Sequence, residues 1–81
     1  MRIRFLLFAL YRDLAGIEEL ALELPAGSSA LDAVARLRAQ SRALSRLPER
    51  PVVAINREYA ALDSTLSEDD ELALLPPVAG G

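Results

Sequence analysis

The chain has no cysteine, no histidine and no tryptophan, and all nine of its basic residues are arginine, so lysine is missing as well. Without cysteine there are neither disulfides nor thiolate metal sites, and without histidine the usual zinc and iron ligand sets cannot be assembled. Imidazole, thiol and amine side chains carry most acid–base and nucleophilic chemistry near neutral pH. Their absence leaves only the α-amino terminus or a strongly shifted carboxylate for that work. A formal net charge of −3 leaves no general basic surface to neutralise phosphates, which argues against a nucleic-acid partner and favours a basic protein. No active site of the chain's own is expected.

What is present suits one small globular domain: 81 residues, 52% hydrophobic and 26% charged. Residues 3–11 are apolar except for Arg4. Arg4 interrupts the run, Arg12-Asp13 follows at once, and no small-x-small cleavage site closes it, so the segment reads as a buried strand and not as a secretory signal. It is also far short of the ~20 apolar residues that span a bilayer. The expectation is a cytoplasmic protein with no membrane partner.

Arg2 to Ala9 places Ile3, Phe5 and Leu7 at one parity and Leu6 and Phe8 at the other, the pattern of a central strand with both faces partly covered. Leu10 to Gly16 reads as a loop or short helical turn. Glu19 to Leu24 alternates Leu20, Leu22 and Leu24 with Glu19, Ala21 and Glu23 until Pro25 ends it, giving a second strand paired to the first. Ala26-Gly27-Ser28-Ser29 is turn chemistry, and Ser29 with Asp32 predicts a capping box opening a helix. That helix has an apolar stripe of Leu31, Val34 and Leu37 flanked by Ala30 and Ala35. Over residues 41–47 it breaks into a short second turn. Pro48 and Pro51 mark a loop, Val52 to Ile55 a buried strand, Asn56-Arg57-Glu58 a turn before a short extended piece near Tyr59, and Glu71 to Leu75 a last strand. One sheet and one substantial helix to cover it make a two-layer α+β domain over residues 1–75, consistent with a β-grasp.

Residues 76–81 form an expected extended tail, Pro76-Pro77-Val78-Ala79-Gly80-Gly81. Six residues reach up to about 20 Å, enough to enter a neighbour's pocket. Pro76-Pro77 stiffens the base, and the two glycines pass through a narrow slot. A terminal carboxylate is ionised at neutral pH and inert as an acyl donor until activated. Adenylation with ATP would activate it, yet the chain has no glycine-rich phosphate loop with a lysine, so a separate enzyme is implied.

These residues resemble the MoaD family, the small sulfur-carrier subunits of molybdopterin synthase, which have a ubiquitin-like β-grasp fold: a mixed sheet covered by one main helix. The likeness runs through Ile3-Arg4-Phe5-Leu6-Leu7-Phe8-Ala9, Arg12-Asp13-Leu14-Ala15-Gly16, Val53-Ala54-Ile55-Asn56 and, most specifically, Asp70 to Gly81. It implies that a MoeB-like enzyme adenylates Gly81 with ATP and that the product becomes a thiocarboxylate. The tail would then enter a MoaE-like large subunit, in a heterotetramer, and give sulfur to cyclic pyranopterin monophosphate. No cofactor is bound permanently and no metal is expected. Gly81 and Gly80 would carry the chemistry. Phe8, Arg12, Tyr59, Leu75, Pro76, Pro77, Val78 and Ala79 would meet the partner, although Phe8 and Tyr59 read equally well as core residues.

One departure concerns the turn before the last strand. The family commonly has Asp-Gly-Asp-Glu there, and this chain has Glu68-Asp69-Asp70-Glu71. Asp69 therefore has to adopt a conformation in which glycine is more comfortable. Two alternatives share the fold and the di-glycine end. One is a sulfur carrier for thiamine or tRNA thiolation. The other is a ubiquitin-like modifier that joins Gly81 to lysines of other proteins.

Overall fold

Alternation at the front of the chain becomes strand β1, Arg2–Leu7, with Ile3, Phe5 and Leu7 buried. The computed structural model describes residues 1–77. β1 ends two residues earlier than the sequence suggests, because Ala9, at φ 47°, turns the chain into helix α1, Ala9–Ala15. The expected loop or helical turn over residues 10–16 is thus a seven-residue helix. Tyr11 buried and Leu14 half-buried, three residues apart, give it an inner face. Gly16 closes it at φ 76°, its N–H donating to the Arg12 carbonyl at 2.9 Å.

Strand β2, Glu19–Glu23, runs antiparallel to β1, with Leu22 opposite Ile3 and Leu20 opposite Phe5. Helix α2, Ala30–Arg38, opens on the expected capping box. Ser29 Oγ accepts from the Asp32 N–H at 3.1 Å, and Asp32 Oδ2 accepts from the Ser29 N–H at 3.0 Å. The stripe it buries differs from the expected one: Ala30, Ala33, Val34 and Leu37 face inward, Leu31 is half-buried and Ala35 is exposed. Spacing alone fits both stripes. Ala30, Ala33, Val34 and Leu37 follow the i, i+3, i+4, i+7 spacing of one helix face, while Leu31 lies at its flank, its N–H bound to the Leu62 carbonyl at 2.8 Å. The weak pattern after α2 becomes a 3₁₀ turn, Leu44–Arg46, pinned by Leu44 and Leu47 in the core. Arg38 reinforces it, Nε donating to the Leu47 carbonyl at 2.7 Å and Nη2 to the Ser45 carbonyl at 3.0 Å.

Strands β3 (Val52–Ile55), β4 (Glu58–Ala60) and β5 (Glu71–Leu75) complete a five-stranded sheet of order β2-β1-β5-β3-β4. β5 is parallel to β1 and antiparallel to β3, so the sheet is mixed. Both helices contribute to one core with Ile3, Phe5, Leu7, Val53, Leu72 and Leu74, all from one face of the sheet. The result is the expected β-grasp.

Two turns with positive φ shape the end of the sheet where β5 begins. Asn56 and Arg57, at φ 50° and 73°, form a two-residue hairpin turn whose twist matches its strands. Asn56 also clamps β5: Nδ2 donates to Asp70 Oδ1 at 2.8 Å, and Oδ1 accepts from the Glu71 N–H at 3.0 Å. Asp69 sits at φ 65°, in the conformation expected of it. Its neighbours hold the turn, Asp70 Oδ2 accepting from the Ser67 N–H at 2.7 Å and Glu68 Oε1 from the Arg2 N–H at 3.0 Å. These acids are backbone scaffolding.

Candidate functional site

The face of the sheet away from the helices carries its own apolar row. Register places Leu6 beside Ala73, Ala73 beside Ala54, and Ala54 beside Tyr59, with Val52 beside Leu75 in the next row. Ala54 and Ala73 are too small to fill the space between their neighbours. The result is a groove of about 400 Å³ with a floor of alanines and walls of Leu6, Phe8, Tyr59 and Leu75. Arg57 and Glu71 stand among its lining residues and supply its charges.

Tyr59 is 81% exposed, Val52 52% and Phe8 44%, so the reading of Phe8 and Tyr59 as core residues is overturned. The reason is topological: both lie on the face that no helix covers. Large side chains left in water cost free energy that burial against a partner would recover, at about 25 cal/mol per Å². The groove places no histidine, cysteine or lysine near a reacting atom. Its exposed apolar walls make it a candidate docking surface.

Of the residues expected to meet a partner, Phe8, Tyr59 and Leu75 come together in this groove. Arg12 does not line it. It is exposed on α1, 3.8 Å from Asp13 Oδ1, and borders an adjoining depression that has Leu6 and Phe8 in common with the groove. Pro76 is half-buried and Pro77 exposed, continuing directly from Leu75 at the groove wall. Val78, Ala79, Gly80 and Gly81 lie outside the described residues. Sequence reasoning misses Leu6, Ala54, Arg57, Glu71 and Ala73. Leu6, Ala73 and Glu71 can be found as the off-core parity of β1 and β5. Arg57 cannot, because its place depends on the hairpin turn.

Among the described residues no group of three or more histidine, cysteine, aspartate or glutamate residues could hold a metal ion. No helix among them is long and apolar enough to cross a membrane.

The ThiS family model matches residues 5–81. The molybdopterin synthase sulfur carrier subunit of Arabidopsis thaliana is 35% identical over 81 residues, covering 100% of this chain and 84% of the relative. That of Chlamydomonas reinhardtii is 36% identical over 83 residues and covers 100% of both. Among solved structures, SAMP1, the small archaeal modifier protein 1 of Haloferax volcanii, matches with a TM-score of 0.86 at 30% identity over 100% of both chains. With the β-grasp sheet and the di-glycine end already in place, these full-length matches establish that the chain belongs to the ThiS family, among its MoaD-type members.

Proposed function

We propose that this chain is a sulfur carrier in molybdenum cofactor biosynthesis: a β-grasp body, residues 1–75, that delivers a reactive tail, residues 76–81. The observation that carries the reading is the full-length likeness to molybdopterin synthase sulfur carrier subunits from two organisms. The absence of cysteine supports it, because the chain has no thiol on which sulfur could be held as a persulfide.

In this reading a MoeB-like enzyme joins the Gly81 carboxylate to AMP, with pyrophosphate leaving from ATP. Hydrosulfide then attacks the acyl carbon, the bond to AMP breaks with AMP leaving, and a thiocarboxylate remains. The open-face groove seats the partner while Pro76-Pro77 directs the last residues into it. In a MoaE-like large subunit the thiocarboxylate sulfur passes to cyclic pyranopterin monophosphate, and water returns the Gly81 carboxylate. Two carriers discharge for each dithiolene formed.

The test is intact mass, with fragmentation, of the protein isolated from its own cells. The expected result is one oxygen replaced by sulfur at Gly81. Deleting Gly80-Gly81 should abolish molybdopterin formation and leave the melting temperature unchanged. A carboxylate that stays unmodified while the cells make cofactor would sink the reading.

A second reading rests on the likeness to SAMP1, a modifier by name. Here Gly81 is joined to lysines of other proteins. The chain's lack of lysine excludes polymers built on its own side-chain amines. Gly81 peptides linked to foreign lysines would identify this activity.

A further inference from the structure

The arginines are unevenly placed. Residues 36–50 hold five of them, Arg36, Arg38, Arg42, Arg46 and Arg50, against the single acid Glu49, a local balance of +4. The rest of the chain holds four arginines against eleven acids, a balance of −7, and the two parts give the net −3.

Topology decides where this charge lies. α2 starts beside residues 62–64, where the Ala30 N–H meets the Ser64 carbonyl, and runs toward the 3₁₀ turn and the entry to β3. Val52, the first residue of β3, pairs with Leu75, the last residue of β5. Arg50 therefore stands two residues from the position beside the tail's root. The acids Glu68 to Glu71 sit at the other end of β5, where the Asp69 N–H donates to the Arg2 carbonyl. The arginines of residues 36–50 thus approach the end of the sheet where Leu75 ends β5, an end that also carries Glu18 and Glu19 beside Leu7 and Leu6.

Local structure accounts for only part of the basic cluster. Arg36 and Arg38 fall in the last turn of α2, where cations answer the helix dipole. Arg38 is further used up by the Leu47 and Ser45 carbonyls and by Glu49 at 3.7 Å. Arg42, Arg46 and Arg50 lie beyond the helix, are exposed, and make no ion pair among the described residues.

We propose that Arg42, Arg46 and Arg50 form a second docking surface that meets an acidic patch on the protein receiving the tail. The proposal rests on the reading that the tail enters another protein, and it adds a charged contact to the apolar groove. A protein seated against Leu75 and the 52%-exposed Val52 is already beside the chain that carries Arg50. A nucleic acid is a poorer occupant, since three cations release few counterions and the −7 balance elsewhere repels a polyanion. Arginine also suits the place chemically. Its guanidinium grips carboxylates in bidentate fashion, stays protonated, and offers no free amine to an activated acyl group at Gly81.

The experiment measures association of the full chain with the purified MoaE-like large subunit of the same organism, by stopped flow at low and high salt. Charge reversal by Arg42→Glu, Arg46→Glu and Arg50→Glu together should slow association at least about tenfold at low salt, with little change in dissociation. The difference should close as salt screens it, and the Arg→Lys triple variant should retain the original rate. Equal rates for the reversed and original chains at low salt overturn the proposal. So does a deficit that persists at high salt, which would report structural damage, and a tRNA affinity that reversal removes while protein association is untouched. An original chain that fails to bind the large subunit at any salt overturns both this proposal and the carrier reading. Binding with equal rates sinks only the arginine surface.

Discussion

The two faces of the one sheet are built from alternate residues of the same strands, and they have opposite fates. Ile3, Phe5 and Leu7 on β1 and Leu72 and Leu74 on β5 are all at most 2% exposed beneath the helices. Leu6, one residue out of phase, and Phe8, just beyond the strand, line an open groove with Ala73 and Leu75. Both sets are apolar, and hydropathy alone does not separate them. What separates them is whether α1 and α2 lie above. An apolar residue in a strand thus reports the possibility of burial, while the connections between strands determine which face the chain covers for itself and which it leaves open.

Truncation on each face tests this contrast. Phe5→Ala removes a fully buried ring from the covered face and should cost about 3–5 kcal/mol of stability, enough to unfold a large fraction of so small a domain. Chemical denaturation reads this directly, and a loss under about 1 kcal/mol would mean that the two faces are not distinct. Tyr59→Ala on the open face should leave the denaturation midpoint almost unchanged and weaken binding to the large subunit roughly tenfold or more, as loss of an aromatic anchor does. Calorimetric titration checks it, and unchanged affinity would move the docking surface elsewhere. The smallest effect belongs to neither face. Asp69→Gly relieves the positive φ in the turn before β5 and should raise stability by up to about 1 kcal/mol without altering partner affinity, because that turn lies at the end of β5 away from Leu75. A destabilised variant would show that the Asp69 side chain supports the turn.

Much of the fold is legible in local sequence. The Ser29–Asp32 capping box, the short turn near Leu44, the left-handed Asp69 and the strands themselves follow from local rules: a hydroxyl and a carboxylate three residues apart, alternation, and a residue type that tolerates positive φ. Helix α1 is harder to see. Its apolar residues continue the strand pattern without a break, and the change occurs at Ala9, a residue with no preference for the φ of 47° it adopts. The inner stripe of α2 is misread from sequence for a related reason. Val34, Leu37 and Ala30 are buried as the spacing predicts, but the inner face is centred between Ala30 and Ala33 instead of on Leu31 and Ala35, a rotation of part of a turn that spacing alone does not fix.

At the site, the exposed half is what local sequence hides. Phe8 and Tyr59 suit a core as well as an interface by residue type, and Arg12, grouped with them by family resemblance, lines an adjoining depression that shares Leu6 and Phe8 with the groove. By itself the sequence determined which chemistry is missing: with no histidine, cysteine or lysine, the chain offers no imidazole, thiol or side-chain amine, and that follows from composition alone. Only the tertiary structure decided which apolar residues stay exposed together. Pairing β5 between β1 and β3 brings Leu6, Ala73, Ala54 and Tyr59, distant along the chain, into one row, and puts Leu75, beside Val52, in the next. Such a surface depends on strand order and register, which are settled by the packing of the whole sheet and leave no mark on any single segment.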